Sequence, residues 1–469
     1  MCFWSCQHLG VSCVLFFFLI LIFETNKHKE NIKKKKQNTQ NMSCEKEEIT
    51  RYLDGYEYCM LATWVSLRGE LELADASVDA LGVLRERLPG ALRAFALGRL
   101  SIDTAAPPRY VPVTLPPDVQ AIAWDDSKET AAGAIVPREC GPVTEYRPGM
   151  PLVMARVAQR GARVQLTVLA WHVVADGRTI EGVYRIVAHV LDARVPLPAD
   201  VPVPAFGQLA AFAGNASEED LLKADEMWSA LPRGRPAVPP LPASPAPVNV
   251  LDYVRYRLAP VRAYARAHGV GLQALLMAAD VAAHREYNGM ASDAPVVVNT
   301  VADTRHSPFA APAHAARELY SGSAVMHTVV TAPSGSNDAG TETLIRHCNE
   351  VVRARQQTLS APRVLTYIGS AIDEQTGQFR FETAYPPHDC GPQFIVSNVG
   401  VYKYCVHPRL SVRMTLGTGG YVTAIYSYAD GDVLELYVSH PNTMDVRLRD
   451  LIVQHLDDVL VRLCGSKRV

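Results

Sequence analysis

The chain carries ten cysteines but no CxxC pair and no His/Cys cluster at metal-ligand spacing. That excludes the common structural zinc motifs. Unpatterned cysteines in a chain of 469 residues also fit a reducing compartment better than a disulfide scaffold. Charge of one sign is lacking as well. Lys and Arg number 46 against 48 Asp and Glu, a formal net charge of −2, and beyond residue 42 the lysines are few and the arginines scattered. No basic stripe offers itself to nucleic acid. There is no short-period repeat and no coiled-coil heptad, so the body reads as ordinary globular chain, long enough for two lobes.

Residues 1–41 differ from the rest. They hold the apolar run LGVSCVLFFFLILIF and then NKHKENIKKKKQNTQN, with no arginine, whereas the body is rich in Ala, Val and Arg. A secretory signal fits poorly, because no Lys or Arg precedes the run and no small-x-small cleavage site follows it. A membrane anchor falls short of the roughly 20 residues a span prefers, and its basic C-terminal flank would leave the body on the cytoplasmic side. The composition break favours a third reading, in which Met42 starts the protein proper. On either surviving reading the body is expected to be cytoplasmic, with membrane contact only if residues 1–41 are genuine.

The segment ALPRGRPAVPPLPASPAPVNV, residues 230–250, holds seven prolines and acts as a stiff, extended connector. It divides the body into an N-terminal lobe, 42–229, and a C-terminal lobe, 251–469. In the first, residues 75–95 suggest one or two amphipathic helices. Residues 151–172 predict a hairpin turning at Gly161, with Val164, Leu166, Val168 and Ala170 on one face and His172 next in that series. After Gly177 the period changes: Ile180, Val183, Tyr184, Val187, Val190 and Leu191 follow a helix face. The segment WHVVADG, 171–177, is thus a strand-to-helix junction. In the second lobe, helices are expected over 258–287 with a break at Gly269, and strands over 294–305 and 392–400. A hairpin is expected to turn at Asp430-Gly431, and a final helix to run from Asp445 to about Leu463.

A neutral imidazole at a strand end facing a cleft can take a proton from a hydroxyl or amine near neutral pH. Asp176 would hold the turn, and Gly177 would leave room for a sharp bend or a substrate. A blander reading stands beside this one: Asp176 as an ordinary N-cap, Gly177 as turn chemistry and His172 as a satisfied core residue. Gly417 to Gly420 lack the setting of a phosphate loop, and the glycosylation match at Asn215 is irrelevant in a cytosolic body. His327, His388 and His440 are scattered.

HVVADG matches the HxxxDG signature of the acyl-CoA-dependent acyltransferases related to chloramphenicol acetyltransferase. The chain resembles the two-lobed branch of that superfamily: BAHD acyltransferases, peptide-synthetase condensation domains, trichothecene acetyltransferases, and alcohol and polyketide-associated acyltransferases. The resemblance spans most of residues 50–460. It includes the Pro-rich crossover, the helices around HGVGLQALLMAA, the strand ending ADTR, the SNVG strand, and the closing hairpin and helix. It implies an α/β (α+β) fold of two chloramphenicol-acetyltransferase-like lobes, each a mixed sheet flanked by helices, with the active-site channel between them. His172 resembles the general base, and Asp176 the family Asp that turns away from substrate to pair with an Arg of the second lobe. Arg305 matches that Arg, and Gly177 closes the signature. Ser397 and Asn398 resemble the segment opposite the His, where donors could stabilise an oxyanion. Arg305 could equally be a surface residue, and Ser397 and Asn398 a plain strand-to-turn transition.

The implied activity is transfer of an acyl group from acyl-CoA, acetyl-CoA or longer, to a hydroxyl or amine on a small molecule. Acyl-CoA acts as co-substrate, no cofactor is bound, and the expected unit is a monomer with an internal pseudo-dimer. The rival is a catalytically silent condensation-like domain that only binds a carrier protein or lipid. Two departures matter. Trp171 stands where condensation domains usually have a second His, and the DFGWG motif of BAHD enzymes is missing. Dihydrolipoyl acyltransferases share a related signature but near the chain end and in trimers, whereas here nearly 300 residues follow His172.

Overall fold

A computed structural model describes residues 53, 57, 63–73, 75, 77–103, 108–114, 121–125, 149–199, 217–229, 249–291, 294–310, 319, 322–331, 338–356, 394–414, 423–441 and 446–469. The apolar leader and residues 230–248 of the Pro-rich crossover lie outside the described residues, as do Asn215, His388 and Gly417 to Gly420, while Asn249 and Val250 at the crossover's end already belong to a strand. By its internal contacts the chain divides into Met1–Glu48 and Ile49–Val469.

The first half supplies β1 (Thr63–Glu72), α1 (Ala80–Arg93), β2 (Leu100–Asp103), β3 (Arg109–Pro112), β4 (Ile122–Asp125), β5 (Val153–Arg160), β6 (Arg163–Trp171) and α2 (Gly177–Leu191). Alternation in β6 buries Val164, Leu166, Val168 and Ala170. They form one core with Leu84 and Leu88 of α1 and with Ile180, Val183, Tyr184 and Val187 of α2. Full burial of such a side chain contributes about 1.5–3 kcal/mol, so the two periodicities, two in the strand and 3.6 in the helix, lock these elements together. The Tyr184 hydroxyl donates to the carbonyls of Leu67 and Leu166, which satisfies its one buried polar group.

The second half supplies β7 (Asn249–Arg257), α3 (Leu258–Ala267), α4 (Leu272–Tyr287), β8 (Val296–Asp303), β9 (Ser323–Val330), α5 (Asp338–Gln356), β10 (Phe394–Val401), β11 (Val406–Met414), β12 (Thr423–Asp430), β13 (Val433–Pro441) and α6 (Val446–Asp457). The closing helix continues through a wider turn over Asp458–Leu463. The break at Gly269 falls between α3 and α4 as expected. Helix α4 is buried nearly all round, because the sheet covers one side and α5 and α6 cover others. Such a helix carries little amphipathic signal.

Two mixed sheets result. The first runs β11-β1-β6-β5-β4 and the second β7-β13-β12-β10-β8-β9, each flanked by helices. This is the two-lobed α/β architecture expected from the sequence. One strand breaks the simple division of the chain: β11, from the second half, pairs antiparallel with β1 and closes the edge of the first sheet. Backbone pairing leaves no periodicity to announce which sheet a strand joins.

Two expectations shift slightly. The last hairpin pairs Asp430 with Val433, so its two-residue loop is Gly431-Asp432, not Asp430-Gly431. Gly431 takes φ +57°, which a primed turn needs at that position. And β6 ends at Trp171, so His172 does not continue the strand alternation. A turn takes over, with the amides of Val174 and Ala175 both donating to the Trp171 carbonyl.

Candidate active site

The junction is organised around Asp176. It caps α2 from an extended conformation, and its Oδ1 accepts from the amides of Arg178 (3.0 Å) and Thr179 (2.8 Å) and from the Thr179 hydroxyl (3.0 Å). Its Oδ2 accepts from Arg305 Nη2 at 3.1 Å and from the Gly322 amide at 2.8 Å. One carboxylate therefore takes five donors, three local and two from the second half of the chain. One oxygen caps the helix and the other pairs with Arg305 from the second half of the chain. Burial by itself would raise the Asp176 pKa, but the Arg305 charge and the bonds from Thr179 and Gly322 outweigh it, and the group sits below its usual value.

Arg305 is only 7% exposed. Asp303 holds it in turn, Oδ1 accepting from Nε at 2.8 Å and Oδ2 from Nη2 at 3.1 Å. Burial opposes its charge, yet the two carboxylates raise its pKa. Gly322 matters through its lack of a side chain, since a Cβ there would lie 2.6 Å from Arg305 Nε. Its carbonyl also accepts from the amide of Thr304 at 2.7 Å and from the Thr304 hydroxyl. Asp303 and Gly322 escape sequence reasoning. An acid two residues before an Arg is a weak signal, and Gly322 has none.

A second clamp lies one turn further along α2. Arg178 Nη1 donates to the Val401 carbonyl at 2.9 Å and to Glu181 Oε2 at 3.0 Å, while Glu181 Oε1 accepts from the Lys403 amide at 2.6 Å. Gly177 lets the helix start against β10: a Cβ there would lie 2.7 Å from Val399 Cγ1 and 3.3 Å from the Tyr402 oxygen. Its role is close approach of two elements.

Between Trp171 and Asp176 the residues Val173, Val174 and Ala175 are fully buried, while His172 keeps partial exposure. Its Nδ1 is buried, with no hydrogen-bond partner of standard geometry among the described residues. Burial pulls the imidazole pKa below its ordinary 6.5, against smaller opposing effects from its own backbone carbonyl and the Asp176 charge. The ring is therefore neutral at neutral pH, the state a general base requires.

Ser397 lies on β10, 8% exposed, in register with Tyr426. Asn398 is exposed, and its Oδ1 accepts from the Gly400 amide at 3.1 Å. The structure thus joins Asp176, Gly177 and Arg305 to the His172 turn, and separates Ser397 from Asn398 by the alternation of the strand. Among the described residues no group of three or more His, Cys, Asp or Glu could hold a metal ion, and no helix is long and apolar enough to cross a membrane.

No family model and no curated protein sequence matches the chain. Solved structures do resemble it in shape. The epimerization domain from the third module of tyrocidine synthetase B superposes with a TM-score of 0.65 at 12% identity, covering 90% of this chain and 100% of that one. A trichothecene 15-O-acetyltransferase from Fusarium sporotrichioides gives 0.63 at 13% identity, covering 88% and 94%. The first condensation domain of the calcium-dependent antibiotic synthetase gives 0.59 at 15% identity, covering 89% and 97%. At such identities likeness speaks for the fold: the chain has the two-lobed fold shared by condensation domains, epimerization domains and acetyltransferases.

Proposed function

We propose that the protein transfers an acyl group from an acyl thioester, acyl-CoA by preference, to a hydroxyl or amine, with His172 as general base. The observation that carries this reading is a neutral imidazole on a turn whose far end is tied by five donors to one carboxylate. Such anchoring holds the ring in place without placing a second charge against the substrate. In the reaction, His172 takes the proton of the acceptor as its oxygen or nitrogen attacks the thioester carbonyl. The tetrahedral oxyanion accepts a hydrogen bond from the Ser397 hydroxyl. Collapse breaks the carbon–sulfur bond, and the departing thiolate takes the proton back from the imidazolium. The thioester is already activated, so no covalent enzyme intermediate is required. Asp176 and Arg305 position the turn, and Asn398 is a weaker candidate donor than Ser397 because it lies on the exposed side of β10.

The test is release of free thiol from acetyl-CoA and longer acyl-CoAs with varied alcohols and amines. Wild type is expected to turn over, and a normally folded His172→Ala protein is not. Equal rates in the two would reduce HxxxDG to a turn and a cap. Absence of turnover by wild type, with retained binding of a carrier protein, would favour a silent binding domain.

A further inference from the structure

In the first lobe the side chains leave a recess of about 80 Å³ between α1, α2 and the edge of the sheet at β4 and β5. Its buried lining comes from Val183 and Ile186 of α2, Val153 of β5, and Phe95 just past the end of α1. Arg93 and Val113 are its more exposed members. Protein interiors are otherwise close-packed, with few voids larger than a water molecule. Apolar walls also hold water poorly, since a buried water needs about two to four polar partners.

Of the described residues that line the recess, Arg93 alone carries a polar side chain. It is exposed in the last turn of α1 and enters no ion pair among the described residues. Three and four positions before it stand Gly90 and Pro89, so no acid shares its helix face there. The usual work of a last-turn cation, meeting the final helix carbonyls, falls to Arg99. Its Nη1 donates to the carbonyls of Arg93 (3.2 Å) and Ala94 (2.6 Å). The Arg93 charge thus stands beside an apolar recess with no task in the fold.

We propose that this recess binds a short-chain monocarboxylate, with its alkyl tail against Val153, Val183 and Ile186 and its carboxylate on the Arg93 guanidinium. The guanidinium fork matches a carboxylate in shape and charge. An apolar cavity of about 150 Å³ takes a six-carbon ring, so one of about 80 Å³ takes a tail of about three carbons. Butyrate is the acid of that length. None of His172, Asp176, Arg305 or Ser397 lines the recess, so the proposal goes beyond acyl transfer and does not rest on it.

The experiment is calorimetric binding of acetate, butyrate, octanoate and neutral 1-butanol to the full chain as wild type, Arg93→Gln and Val113→Phe, with thermal melts of each. Butyrate is expected to bind wild type at least tenfold tighter than acetate, at about fourfold per buried methylene. Octanoate is expected to gain far less than that per added methylene, because its chain outruns the recess. Arg93→Gln is expected to cost butyrate about tenfold, to leave 1-butanol unchanged and to melt like wild type, since the side chain is exposed. Val113→Phe narrows the recess and is expected to weaken both ligands; if it fails to fold, Arg93→Gln decides alone. No butyrate binding by wild type, equal affinity for acetate and butyrate, or unchanged butyrate affinity in Arg93→Gln would each overturn the proposal. So would an equal loss of 1-butanol in Arg93→Gln, or a gain that continues at fourfold per methylene out to octanoate. Failure of the His172 test leaves this site standing, and failure here leaves acyl transfer untouched.

Discussion

Among the described residues two aspartates, Asp176 and Asp280, are buried with opposite consequences. Asp176, 5% exposed, receives five donors and an arginine, and its pKa is lowered. Asp280, fully buried in α4, has no hydrogen-bond partner among the described residues for either oxygen, and burial raises its pKa well above the ordinary value. His284, one turn on, lies 3.6 Å from Asp280 Oδ1, past good hydrogen-bond range, and burial pushes its pKa down to about 3. Depth is similar and chemistry is the same, so the partners decide. At Asp176 the charge is retained and used to join two lobes. At Asp280 the charge is suppressed.

The comparison breaks most visibly at its paired end. Asp176→Ala abandons Arg305 in a buried site, and removing one partner of such a pair costs about 3–5 kcal/mol. Denaturant unfolding should register that loss together with a fall in acyl transfer. A variant as stable as wild type would mean that Arg305 finds sufficient company in Asp303. His172→Ala is expected to lower turnover by about 10²–10⁴-fold while leaving the melt nearly unchanged, since its Nδ1 has no partner of standard geometry among the described residues to lose. Rate and stability measured on the same preparation separate the two residues: on the proposed reading one anchors and the other reacts.

At the unpaired end the sign reverses. Asp280→Asn keeps the shape and removes the titration, so it should stabilise the protein by about 1–3 kcal/mol at neutral pH. A melt lower than wild type would show that the carboxyl has a use. The pH dependence sharpens the contrast. The lowered pKa of Asp176 contributes stability that is present above about pH 4 and lost as pH falls through the folded value. The raised pKa of Asp280 works the other way: its contribution is present below about pH 4 and is lost as pH rises toward the folded value. The melting gap between Asp280→Asn and wild type should therefore widen from pH 4 upward, and a gap independent of pH would refute a neutral acid. Turnover should fall only below pH 6.5, because the His172 pKa is lowered and its neutral form persists into mild acid. The smallest effect is expected from Gly177→Ala. The clash is with one end of Val399, which can shift, so about 1–2 kcal/mol of stability is at stake, read as a modest drop in melting temperature.

Much of this was legible beforehand at particular residues. The alternation from Val164 to Ala170 and the helix face from Ile180 to Val187 specified a strand-to-helix junction, and both series are buried as expected. Asp176 before a helical pattern announced a cap. The pairing of Asp176 with Arg305 came from a resemblance of motifs, since residues 129 positions apart leave no local trace of their contact. Glu181 and Lys403 left no trace at all, because their bond runs through a backbone amide that every residue carries.

Local pattern alone determined which segments are strands or helices and which of their faces turn inward, since both follow from short-range sterics and from the spacing of apolar side chains. Only the tertiary structure decided that β11 closes the first lobe's sheet, that Gly322 must be bare beneath Arg305, and that Asn299 has no hydrogen-bond partner among the described residues. Those outcomes depend on which distant surfaces meet, and a hydrogen bond or a steric contact across a seam is encoded jointly by both sides rather than by either segment alone.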